Sequence, residues 1–266
     1  MIDINRLKKE LNNYINEFDV NDPQIEMKIK HTYRVSSLSK QLATHLRLSD
    51  EDVDLAEAIG LLHDIGRFEQ IRTYHTFIDK DSIDHGELGN YILFEKGLIN
   101  KMIEDRSYDN IIKEAISNHN KPFIKNGLNE REELHSKIIR DSDKTDILYL
   151  STLKESFSTM FGGKEFIDEK ISDEVYHDFV NNCSIDYKHI TSKADVVLCH
   201  LAYIFDYNFK EMVDFIDDMG YIDDLYNNIR FNDQKTENRF TSSYDLVKIY
   251  MKNKKRCSWK NIIIII

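Results

Sequence analysis

Proline and glycine are scarce. The chain of 266 residues holds two prolines and nine glycines, against usual shares of roughly 5% and 7%. Sandwiches and barrels need such residues at tight turns set at regular intervals. Their scarcity excludes most of those folds and predicts an all-α protein, helices joined by short polar loops. Cysteine is scarce too. Cys183, Cys199 and Cys257 form neither a CxxC pair nor an even framework, which predicts reduced, mostly buried thiols and a cytoplasmic setting.

Long apolar runs are missing as well. Nothing approaches the ~20 residues that span a bilayer, and the closing Ile262–Ile266 is far too short. Charges mixed through residues 1–20 do not fit a signal peptide, so no membrane partner is expected. Positive charge is in deficit: 36 Lys+Arg face 47 Asp+Glu, a formal net charge of −11. That excludes the broad basic surface on which long nucleic acids bind. A small phosphorylated substrate remains compatible, because the field at a site can oppose the global sign. What is present, 41% apolar and 31% charged residues, is enough to build a core and argues against disorder.

The apolar pattern reads as a series of helices. Ile4, Leu7, Leu11, Ile15 and Phe18 recur at spacings of three and four, one face of a helix over 3–18. Asp22-Pro23 is a cap followed by a first-turn proline, and Ile25, Ile29, Leu38, Leu42 and Leu46 continue from it as a second, long helix. Ser49 with Asp52 resembles a capping box; it opens a third helix expected to stop at Gly66. Residues 67–85 lose periodicity and read as a loop. Further helices are expected at about 86–96, 108–119, 132–160, 173–182, 192–206, 208–217 and 243–252. Gly162-Gly163 is the one plausible hinge, between a core of residues 1–160 and a helical extension over 161–266.

One set of residues carries chemistry. His31 lies in the second helix, His63-Asp64 in LLHDIGR, His85 in DHGELG, His119 in ISNHNK and Asp143 in RDSDKTD. Each falls on a separate helix or its end, and each is a good donor to a divalent metal. Consecutive side chains in mid-helix point about 100° apart, so His63 and Asp64 serve one centre only near a helix terminus, or with Asp64 bridging two ions. Any one of ten histidines is more often structural than a ligand. The embedded LLHDIGR, with a helical His upstream and SDKTD downstream, is far more specific.

These motifs resemble the HD superfamily of metal-dependent phosphohydrolases, over about residues 25–150. The resemblance implies an all-helical bundle and a divalent metal held by His31, His63, Asp64 and Asp143. With His85 and His119 the set is similar to the binuclear branch, where two further His hold a second ion and the Asp of HD bridges. One or two ions per chain are then expected, from Fe, Mn, Ni, Zn, Co or Mg. The implied reaction is hydrolysis of a nucleotide or related small phosphate ester by a metal-activated water. One departure is plain. Asn120 follows His119 where the cyclic-dinucleotide phosphodiesterases of the GYP type carry a second His, and no GYP follows.

Around the expected ligands, Asp64, Arg67 and Lys144 are the candidate catalytic groups. Arg67 and Lys144 are candidate phosphate clamps, and His75 a candidate substrate contact and proton donor, although an idle surface His is the plainer reading of the last. Asp146 shares a helical face with Asp143 and could orient a ligand. His45, His135, His177, His189 and His200 read as structural. The same six ligands also resemble the HD-fold mixed-valence diiron oxygenases, and a non-catalytic nucleotide sensor is a third reading. An apolar face on the C-terminal helices would support a homodimer, which nothing in the residues requires.

Overall fold

Each of the first three helices begins at a residue able to cap it. The computed structural model describes residues 1–153, 168–182 and 184–254. In it, helix α1 spans Ile4–Ile15, and the Asp3 carboxylate accepts from the Arg6 amide. Helix α2 spans Pro23–His45, where Asp22 accepts from the Gln24 amide and Pro23 takes the first turn, which needs no N–H donor. Helix α3 spans Asp50–Leu62, with the Ser49 hydroxyl accepting from the Asp52 amide. The predicted face of α1, Leu7, Leu11 and Ile15, is buried. Helices α2 and α3 pack through small residues: a Cβ on Gly60 would lie 2.5 Å from Ser36 Cα, so only glycine permits their close approach.

The structure corrects the expectations at Gly66 and beyond. Helix α3 ends at Leu62 with His63 as its C-cap, and a new helix, α4, runs over Ile65–Tyr74, straight through Gly66 and half of the expected loop. Ile65, Phe68 and Ile71 recur every three residues and are buried; the charged Arg67, Glu69 and Arg72 between them mask the pattern. Gly66 is a point of contact instead of a stop. A Cβ there would sit 2.2 Å from the His85 carbonyl oxygen and 2.7 Å from the Gly89 amide nitrogen. The loop proper is residues 75–84, which hold only a 3-10 turn over Asp79–Asp81.

Helix α5, His85–Asn90, continues through a π-helical turn, Tyr91–Glu95, close to expectation. A short α6, Ile99–Met102, was not expected. Helices α7, Asp109–His119, and α8, Glu130–Thr152, follow. The expected extension of α8 to residue 160 is not found at Leu153, and residues 154–160 lie outside the described residues. Contacts gather Met1–Asp146 into one compact unit and Ile147–Ile266 into another. The core of the first is built on Leu55, Ile59 and Leu62 of α3, with Phe68, Leu93 and Ile112.

The second unit holds helices Asp173–Asn182, Lys193–Ala202, Lys210–Asp218, Tyr221–Asn228 and Gln234–Lys254. The fourth was not expected, and the fifth starts nine residues before the predicted 243. Ser192 and Asp195 form a complete capping box on the second. Among the described residues there is no strand, and no helix is long and apolar enough to cross a membrane. Cys199 is buried. Gly162-Gly163, Cys183, Cys257 and Ile262–Ile266 lie outside the described residues.

Candidate metal centre

Five elements of the first unit deliver the six expected ligands. His31 projects from α2, and His63 and Asp64 are the two residues between α3 and α4, His63 capping the first and Asp64 preceding the second. His85 opens α5, His119 ends α7 and Asp143 lies on α8. The break at Asp64 (φ −105°, ψ 16°) releases the His63-Asp64 pair from the 100° offset of a continuous helix.

The two oxygens of Asp64 face two sets of donors. Oδ2 lies 3.4 Å from His31 Nε2 and 3.6 Å from His63 Nε2, which are 3.3 Å from each other. Asp143 Oδ1 completes that set, 3.1 Å from His31 Nε2 and 3.7 Å from His63 Nε2. Oδ1 of Asp64 lies 3.4 Å from His85 Nε2 and 3.8 Å from His119 Nε2, themselves 2.9 Å apart. His31, His63 and Asp64, and again Asp64, His85 and His119, are buried groups able to hold an ion.

The donor set fits divalent metal. His63 Nδ1 donates to the Gly60 carbonyl (2.8 Å) and His119 Nδ1 to the Ile116 carbonyl (2.6 Å), leaving each Nε2 lone pair turned inward. Ligands bonded at ~2.1 Å sit roughly 3.0–3.4 Å apart along the edge of a tetrahedron or octahedron, and the separations here, 2.9 to 3.8 Å, bracket that range. The Nε2 atoms of His85 and His119 lie 2.9 Å apart while both Nδ1 atoms face oxygen acceptors, an arrangement that suits a cation joining the two lone pairs.

Carboxylates outside the cluster hold the other two rings. His31 Nδ1 meets Asp146 Oδ2 at 2.7 Å, and Arg34 grips Asp146 through Nε (2.5 Å) and Nη2 (2.9 Å). His85 Nδ1 meets Asp79 Oδ2 at 2.6 Å. Such partners fix the orientation of a ligating imidazole and raise its basicity. Burial and Lys28 press the His31 pKa down, but its bonds to Asp143, Asp146 and Asp64 prevail and raise it to about 10. Burial, helped by Arg67, lowers His85 to about 4 against the opposing Asp79. Burial opposes ionisation of Asp64, yet Lys28 and His63 hold its pKa well below the usual carboxylate range. Asp143 also stays well below it, as His31 and His63 overcome its desolvation.

Cations stand beside the shared carboxylate. Lys28 Nζ is 2.7 Å from Asp64 Oδ2, and Arg67 Nε is 3.6 Å from Oδ1. Arg67 Nη1 is committed to Gln70 Oε1 (2.7 Å), the Phe77 carbonyl (2.6 Å) and Asp79 Oδ1 (2.9 Å), whereas its buried Nε has no hydrogen-bond partner. Both cations lie near the Phe77 ring, 5.4 Å and 5.7 Å from its centroid. Lys144 is buried next to Asp143 in sequence. His75 is exposed at the left-handed C-cap of α4 (φ 55°) and shares in none of the contacts just described.

The remaining histidines have other surroundings. His135 meets Asp52, His189 meets Asp178, His200 meets Ser151 and His45 meets the Gln41 carbonyl, while His177 is exposed. Sequence reasoning missed Lys28, Arg34, Gln70 and Asp79. For Lys28 and Arg34 a signal existed, since each lies three residues from His31 on one face of α2.

Comparison with protein families gives a match to the HD domain over residues 29–148, which spans all six clustered residues. No curated protein and no solved structure matches the chain significantly. Residues 29–148 of the chain are an HD domain, the domain of a superfamily whose members are typically metal-dependent hydrolases.

Proposed function

We propose that this protein is a divalent-metal-dependent phosphohydrolase acting on a nucleotide or related small phosphate ester. The observation that carries the reading is the placing of Asp64, with one oxygen toward His31, His63 and Asp143 and the other toward His85 and His119. On this reading, those six residues hold two ions. Bound divalent ions supply Lewis acidity toward a phosphoryl oxygen and a hydroxide at neutral pH.

The chain's own residues do the rest. Asp146 and Asp79 keep His31 and His85 turned toward the centre. Arg67, with an unpartnered Nε buried beside Asp64, can donate to a phosphoryl oxygen along a direction that α4 already fixes. Lys28 brings a second positive charge to the same edge. In a chain of net charge −11, phosphate recognition on this reading is local, through the ions and these two cations. Lys144, buried on α8 next to Asp143 in sequence, is kept as a further candidate clamp.

The test pairs metal analysis of the purified protein with generic phosphodiester and nucleotide substrates. Expected is phosphate or nucleoside release without oxygen uptake, abolished by a chelator and by Asp64→Ala. Oxygen-dependent turnover with iron, and no phosphatase activity, would overturn the reading.

A further inference from the structure

Asp79 lies outside the six expected ligands, in the segment between α4 and α5, where it opens a single 3-10 turn. Yet it is held from several sides. Its Oδ1 accepts from Arg67 Nη1 at 2.9 Å and from Gln70 Nε2 at 2.9 Å, and its Oδ2 meets His85 Nδ1 at 2.6 Å and Asn120 Nδ2 at 3.3 Å. Gln70 is fully buried and also ties Ser82 Oγ and the Ile83 carbonyl, both at 2.9 Å. Helix α4 therefore pins residues 77–83 through two side chains and delivers one carboxylate oxygen to one imidazole.

The two donor sets are oriented by different means. On the His31 side, Asp146 comes from α8 and is held by Arg34 of α2, neither of which contacts Asp79 in any described bond. On the other side His119 is turned by its own helix, through the Ile116 carbonyl. His85 alone depends on a carboxylate from the loop. Removing Asp79 should therefore loosen one set and leave the other in place.

We infer that Asp79 is a positioning residue which sets the affinity of the His85–His119 position for its ion, independently of the His31–His63–Asp143 position. The inference rests on the two-ion reading above. Losing such an outer partner weakens metal binding by about 10- to 100-fold.

The test titrates manganese alone into the metal-free full chain and follows binding calorimetrically, for wild type, Asp79→Ala, Asp79→Asn and the neighbouring exposed Asp81→Asn. Expected are two ions for wild type and for Asp81→Asn. Asp79→Ala should keep the first affinity and lose about 10- to 100-fold in the second. Asp79→Asn, which keeps an acceptor without the charge, should fall between. Circular dichroism of each metal-free variant confirms that it is folded. Two unchanged affinities in Asp79→Ala, or an equal loss at both positions in a folded variant, would overturn the inference while leaving the two-ion reading intact. A single ion in wild type would overturn both.

Discussion

The Lys28 ammonium lies 2.7 Å from Asp64 Oδ2, the oxygen that His31 and His63 also approach, and both partners are largely buried, at 14% and 3% side-chain exposure. The lysine thus neutralises the shared carboxylate when no ion does. Lys28→Met leaves Asp64 short of one cation. The metal-free chain should lose on the order of 3 kcal/mol, the cost of breaking a buried pair from one side, while its affinity for manganese rises because a competing charge is gone. Thermal melts and a manganese titration check both halves. A lower metal affinity in the variant would show that Lys28 supports the ion instead of competing with it.

Arg67 combines two duties that a lysine cannot share. Its Nη1 serves three acceptors on α4 and the following loop, while Nε lies 3.6 Å from Asp64 Oδ1 and has no hydrogen-bond partner. Arg67→Lys keeps the charge but not the fork. The Michaelis constant for a phosphate ester should rise about 10- to 100-fold, the worth of one hydrogen bond to a charged group. Steady-state kinetics decide it: an unchanged constant removes Arg67 from the clamp.

Gly66→Ala tests the crossing of α4 and α5. The new methyl would need the space 2.2 Å from the His85 carbonyl, a backbone atom that cannot rotate away. Overpacking of this kind costs about 1–3 kcal/mol or more, and the strain falls on the first residue of α5, a proposed ligand. A lowered melting temperature together with weaker metal binding is expected. A melt and titration like those of wild type would mean that the crossing is softer than the distances imply.

His200 gives the second unit a pH dependence of known sign. Burial lowers its pKa to about 4, and Ser151 Oγ meets its Nδ1 at 2.7 Å. Its unfolded value is about 6.5, so between the two the unfolded chain binds a proton that the folded chain refuses. Stability is full above pH 6.5 and is lost as pH falls toward 4, by roughly 3 kcal/mol in all. His200→Phe keeps a ring and leaves Ser151 its bond to the Ile147 carbonyl. Urea midpoints between pH 7.5 and 4.5 should fall less steeply for the variant. Parallel curves would refute the assignment.

Much of the scaffold was legible because its signals are local. Asp3, Asp22 and Ser49 cap helices within three residues of themselves, and the spacing in α1 names the face that is buried. Where charged residues interrupt the apolar spacing, as in α4, the pattern predicts a loop and the structure has a helix. The missed Tyr221–Asn228 is only eight residues long, too short for a periodic face to stand out.

The candidate centre divides along the same line. The sequence by itself named the candidate donors, His63-Asp64 in LLHDIGR with His31, His85, His119 and Asp143, because residue type and motif are local properties. Tertiary structure alone decided how those donors are held. Arg34 and Asp146 are 112 residues apart, Lys28 and Asp64 are 36 apart, and their meeting depends on how α2, α4 and α8 pack. Asp79 is only six residues from His85, but its segment has no periodicity from which a direction could be read. A ligand's identity is a property of the residue; its orientation depends on neighbours that only packing brings within reach.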